Sequence, residues 1–144
     1  MSIVIKEPLV IASVYLWIGF VGAISFMEAW LKFRAPGVNL QIGLGIGRLV
    51  FNALNKVEWA LAVSILCGFF ISGQSFLSPE KLLYYIPLAL LLLQTIWLLP
   101  ALDQRAAMYI QGIDPPKSRL HIYYVSVEVI KVICLLIFSL KQFK

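Results

Sequence analysis

The chain has 144 residues, 61% of them hydrophobic and only 13% charged, with a formal net charge of +5. A soluble domain of this length could not hide so much apolar surface from water, and the mean hydropathy of +0.91 points to an integral membrane protein. The basic residues are dispersed, which excludes the basic stripe of a nucleic-acid binder and suits loops beside anionic lipid headgroups.

The first apolar segment covers about residues 8–33, and its uncharged part, 8–27, matches the ~20 residues that cross a bilayer as a helix. Tyr15, Trp17 and Trp30 are its interfacial or packing aromatics. Its length, the lack of a basic leader and its continuation into Glu28-Ala29-Trp30 argue against a cleaved signal peptide. Ala35-Pro36-Gly37 turns the chain. The link 38–47 carries Gly43, Gly45 and Gly47. It reads as a re-entrant or surface-lying segment, or as the flexible start of the second helix. It is no phosphate loop, because no strand precedes it and no Gly-Lys-Ser/Thr follows.

The second helix is predicted over about 44–72, closed by Gly73. Ser78-Pro79-Glu80 supplies an N-cap, a first-turn proline and a first-turn acid for a third helix over about 79–111. Pro87 and Pro100 fall inside it, and a kink near Pro100 would open space beside Asp103. Gly112 and the turn 114–118 lead to a fourth helix over about 118–141. Cys67 and Cys134 read as small buried hydrophobes. With one histidine and no paired cysteines, no metal, haem or iron–sulfur centre is expected. The fold expected is all-α: a single domain, 1–144, forming a polytopic antiparallel bundle of four transmembrane helices.

Successive crossings run in opposite directions, so the end of one helix and the start of the next share a face. Glu28 and Lys32 leave the first helix; Arg48, Asn52, Asn55 and Glu58 begin the second. Asp103 and Arg105 leave the third; His121, Tyr124, Glu128 and Lys131 begin the fourth. These groups therefore gather in one leaflet, and intramembrane charge marks function or a partnered network. On each of helices 2 and 4 the polar residues fall within a stripe about 120° wide. The two stripes are expected to face one another, with Glu58 and Glu128 deepest, lining a chamber completed by Glu28, Asp103 and Arg105. Candidate ion pairs are Glu128 with Lys131, and Arg48 or Arg105 with Glu28 or Asp103. Such a chamber suits a small polar or amphipathic molecule or an ion; the plainer reading is a network that sets helix register. His121, near the interface, suits a headgroup or backbone partner.

Seven basic residues fall on the side of the 1–2 and 3–4 connections, against Lys6, Lys81, Lys141 and Lys144 on the side of the termini. That asymmetry favours a cytoplasmic location for the two connections, in a bacterial inner membrane.

The segment Trp97-Leu-Leu-Pro100-Ala-Leu-Asp-Gln-Arg105-Ala-Ala-Met, followed by Arg119-Leu-His121-Ile-Tyr-Tyr, resembles the second half of the transmembrane protein 205-like family. Phe33-Arg34-Ala-Pro36 and Gly-Arg-Leu-Val-Phe51 are compatible with that family, whose members are small four-helix membrane proteins. The spacing Arg48-x6-Asn55-x2-Glu58, with Tyr109-Ile-Gln-Gly112, is similar to MAPEG proteins, four-helix membrane enzymes that use glutathione. That resemblance implies a homotrimer in which Arg48, Asn55 and Glu58 help to bind glutathione. This chain departs from the pattern at Asn52, where a second basic residue is usual, and in the His121/Glu128/Lys131 set. Otherwise no cofactor is expected. The partners expected are the lipid bilayer and, beyond it, further copies of the chain or a larger membrane complex.

Overall fold

The computed structural model describes residues 4–143; Lys144, counted above among the basic residues, lies outside them. Four helices account for most of the chain: α1 Pro8–Arg34, α2 Leu40–Ser72, α3 Pro79–Ile110 and α4 Leu120–Leu140. Each is long and apolar enough to cross a membrane.

Local chemistry sets their limits. Pro8 and Pro79 occupy first turns, where a missing N–H costs nothing. Asn39 caps α2 by accepting the Ile42 N–H at 2.9 Å. This cap starts α2 four residues ahead of the sequence expectation and draws the glycines at 43, 45 and 47 into the start of that helix rather than into a re-entrant or surface-lying segment. Gly37, Gly73 and Gly112 turn the chain after α1, α2 and α3 with positive φ.

Two helices widen into π-helical stretches, Gly22–Glu28 in α1 and Gln94–Leu98 in α3. There the Ala29 N–H bonds back to Ile24 and the Leu99 N–H to Gln94, one residue further than in an α-helix. The second has a covalent cause: Pro100 has no N–H to offer the preceding turn, and the ladder slips where that bond is missing. Pro87 lies within α3 without interrupting it.

α1 packs against α2 and α4, and α3 packs against the same two. The helices thus form a four-cornered bundle with α1 and α3 on one diagonal, α2 and α4 on the other. Neighbours are antiparallel: Ser13 near the start of α1 shares a hydrogen bond with Ser64 late in α2, while Lys32 at the end of α1 lies beside Gly47 early in α2. One end of the bundle, the terminal end, carries both chain termini and the α2–α3 connection. The other, the loop end, carries the α1–α2 and α3–α4 connections.

The larger apolar core fills the terminal half, where Val10, Val14, Trp17, Ile65, Phe69, Tyr84 and Phe138 are fully buried. Tyr84 meets Phe69 edge-on at 5.3 Å and Trp17 at 6.4 Å. A smaller cluster around Leu98, Tyr124 and Val127 lies towards the loop end. Large apolar side chains such as Leu49, Phe70 and Ile71 point outward. Cys67 is exposed on that outer surface and Cys134 is half-buried, so the expectation that both are buried fails: Cys67 lies on a face of α2 that no neighbouring helix covers, and Cys134 is covered only in part.

Close approach of α1 and α2 depends on Gly68, where an added Cβ would lie 2.5 Å from Val10 Cγ2. Val10 is fully buried and stiff at χ1, so Gly68→Ala is expected to cost about 1–3 kcal/mol. Gly45 has open space around it, and Gly45→Ala should instead raise stability by up to about 1 kcal/mol. Thermal unfolding of both variants in detergent checks the contrast.

Candidate functional site

At the mid-length of all four helices lies a knot of buried polar side chains. Lys131 of α4 is completely buried, and its ammonium makes three contacts. It bonds Glu58 of α2 across the diagonal, Glu128 one turn before it on α4 at 2.7 Å, and the Gln94 side-chain carbonyl of α3 at 2.5 Å. Trp17 of α1 donates its indole N–H to Glu58 Oε1 at 2.8 Å. Ser25 of α1 donates to Glu128 Oε2 at 2.8 Å, and the Gln94 amide donates to Glu128 Oε1 at 2.5 Å. Every helix thus supplies at least one member, and the added hydrogen bonds offset the desolvation of the buried charges. Ser25 and Gln94 belong to the two π-helical stretches, whose wider turns lie where the knot is tied.

Towards the loop end, this knot gives way to a cavity of about 200 Å³. All four helices wall it. Phe33, Phe51, Leu99, Leu102 and Ala106 form apolar surface, and Lys32, Arg48, Asn52, Asp103 and His121 provide the polar part. Phe33 lies directly over Gly43, where any side chain would collide with the ring. Arg48 and Asp103 pair through two parallel bonds, 2.6 and 2.9 Å, joining α2 to α3. Lys32 bonds Glu28 at 3.2 Å and lies against the rings of Phe33 and Phe51, at 5.4 and 5.6 Å. Tyr124 and Ser25 also reach the cavity, and Ser25 joins its wall to the buried knot by its bond to Glu128.

The residues singled out from sequence therefore separate into groups. Arg48, Asn52, Asp103, His121 and Tyr124 line the cavity. Glu58, Glu128 and Lys131 face inward but form the knot beneath it, so the two glutamates do not line the cavity as expected: their oxygens are engaged by neighbouring helices. Asn55 is turned towards Thr95 of α3, to which it donates at 3.0 Å beside Trp59 at 2.9 Å. Glu28 holds Lys32 from outside the cavity, and Arg105 reaches the Pro116 carbonyl in the α3–α4 connection. Of the three residues the glutathione-dependent resemblance would place together, Arg48 alone lines the cavity. Among the described residues no cluster of three His, Cys, Asp or Glu is arranged to hold a metal.

Sequence reasoning missed Trp17, Ser25 and Gln94. It also confined inward-facing charge to the loop half, and Glu7 and Lys81 correct that. They are buried at the terminal end with 3.9 Å between ammonium and carboxylate, too far for a hydrogen bond. The Lys81 ammonium lies 4.6 Å over the Phe69 ring. The physical reason is a strap: residue 6 bonds the Gln142 carbonyl through its N–H and Glu80 through its side chain, folding the start of the chain over this pair.

Comparison of the chain with protein families, with curated proteins and with solved structures finds no match in any of the three.

Removing one partner of a buried ion pair strands the other, at a cost of about 3–5 kcal/mol. Lys131→Met is expected to lower thermal stability by that order. His121→Ala, at an exposed site with no hydrogen bond to the described residues, should change it by less than about 0.5 kcal/mol. Equal effects in detergent melts would contradict the assignment.

Proposed function

We propose that this chain spans a membrane four times and binds a small amphipathic molecule in the loop-end cavity. The observation that carries the reading is the composition of that cavity. Its walls are mostly apolar, yet Asn52 and His121, both exposed residues at its edge, reach it with no hydrogen bond to the described residues. A ligand that places its polar end at Asn52, His121 and the Arg48–Asp103 pair satisfies those groups, while its apolar body covers Phe33, Phe51 and Leu102. Access is one-sided, because the Trp17, Phe69, Tyr84 and Phe138 cluster fills the terminal half of the bundle. The outward-facing leucines, isoleucines and phenylalanines then contact acyl chains, and the buried knot is the kind of partnered charge that membrane interiors tolerate.

The excess of basic residues at the loop end supports a cytoplasmic location for both of its connections. In a background with Cys67 and Cys134 replaced, a cysteine at Ser118 should react with an impermeant reagent only after the cytoplasmic face is opened. One at Ser75 should react from the outside. The reverse pattern would overturn the orientation.

Binding is tested with protein in lipid nanodiscs and two fluorescent probes of equal chain length, one a fatty acid and the other its alcohol. Wild type is expected to bind at least one of them saturably. Ala106→Trp, which fills the cavity from a buried wall position, should weaken that binding at least tenfold. Binding that survives Ala106→Trp unchanged would remove the cavity as the site.

A further inference from the structure

The buried knot contains two carboxylates and one ammonium. Among the described residues, Lys131 is the single cation paired with either Glu58 or Glu128. The other groups facing them are uncharged: Trp17 and Ser25 from α1, Gln94 from α3 and the Tyr124 hydroxyl on α4. Fully ionised, the knot would carry one uncompensated negative charge at 0–1% exposure, which is the arrangement that burial penalises most.

The hydrogen bonds divide the two acids unequally. Glu128 accepts from Ser25 on Oε2, and from Gln94 and Lys131 on Oε1. Glu58 accepts from Trp17 and Lys131, both on Oε1, which leaves its Oε2 with no donor among the described residues. We infer that the knot is a proton-binding site and that the proton is held on Glu58, the acid with fewer donors. Glu128 and Lys131 then form the ionised pair, and the knot is neutral overall. The proton is taken from water and returned to it, so no other reactant is involved. Its route is through the loop end: Ser25 links Glu128 to the cavity, whereas the aromatic cluster closes the terminal side. This proposal concerns the protein without a cavity ligand, so it stands or falls separately from the binding reading.

Infrared spectroscopy of the protein reconstituted in lipid at neutral pH reads the proton directly, as the carbonyl stretch of a protonated carboxylic acid. Wild type should show that band, and Glu58→Gln should lose it. Glu128→Gln should lose it too, since one carboxylate then balances one ammonium. If Glu58→Gln does not fold, Glu58→Asp should move the band in frequency. Absence of the band from wild type, its survival in Glu58→Gln, or an unmoved band in Glu58→Asp overturns the proposal. Survival would assign the signal elsewhere, to Glu128 or to Glu7, the remaining buried acids among the described residues.

Discussion

The contact between Lys131 and Glu58 joins the two helices that otherwise stand apart on a diagonal. α2 and α4 each pack against α1 and α3, and this hydrogen bond closes the square from within. An ammonium with no exposed surface tolerates few alternatives: rotating α2 or α4 by one residue, about 100°, would take a charge from its partner and leave it in a hydrocarbon-like interior. The knot therefore sets the rotation of the helices about their own axes, which apolar packing alone leaves weakly defined. The π-helical stretches in α1 and α3 serve the same junction, since Ser25 and Gln94 lie in them.

Around this junction the two halves of the bundle differ in kind. The terminal half is filled by interlocking aromatics and is tied across its end by the Lys6–Glu80 and Glu7–Lys81 pairs. The loop half is walled by smaller groups, with Gly43 and Gly47 allowing Phe33 and Lys32 of α1 to lie on α2 and Ala106 leaving room on α3. The result is a cavity that lies above the polar knot and whose rim carries groups with hydrogen bonds still to make. That asymmetry is what the binding reading rests on, and the excess carboxylate in the knot is what the proton proposal rests on.

Much of the fold was legible in the chain because the signals are local. Apolar runs of helical length, punctuated by Pro36-Gly37, Gly73 and Pro79, are enough to set four helices. The start of α2 was misplaced because the glycines at 43–47 outweighed Asn39, whose capping bond is a single-residue signal. The inward stripes of α2 and α4 followed from helical periodicity, and the Glu128–Lys131 and Arg48–Asp103 pairs were among the candidates it raised. Which residues share a cavity and which a buried knot was not legible, because that depends on how the helices are ordered round the square. Gln94 could have been found: it is the single amide in the uncharged run 82–102. Glu7 and Lys81 could not, because each lies at the margin of an apolar segment, where charge is ordinarily solvated.

Solid-state NMR of the protein in lipid bilayers tests the junction most directly, through the dipolar coupling between the Lys131 ammonium nitrogen and the Glu58 and Glu128 carboxyl carbons. Both couplings are expected at contact strength, with the ammonium protected from exchange with bulk water. A missing coupling to Glu58, or a rapidly exchanging ammonium, would contradict the account, because α2 and α4 would then lack the bond that sets their rotation.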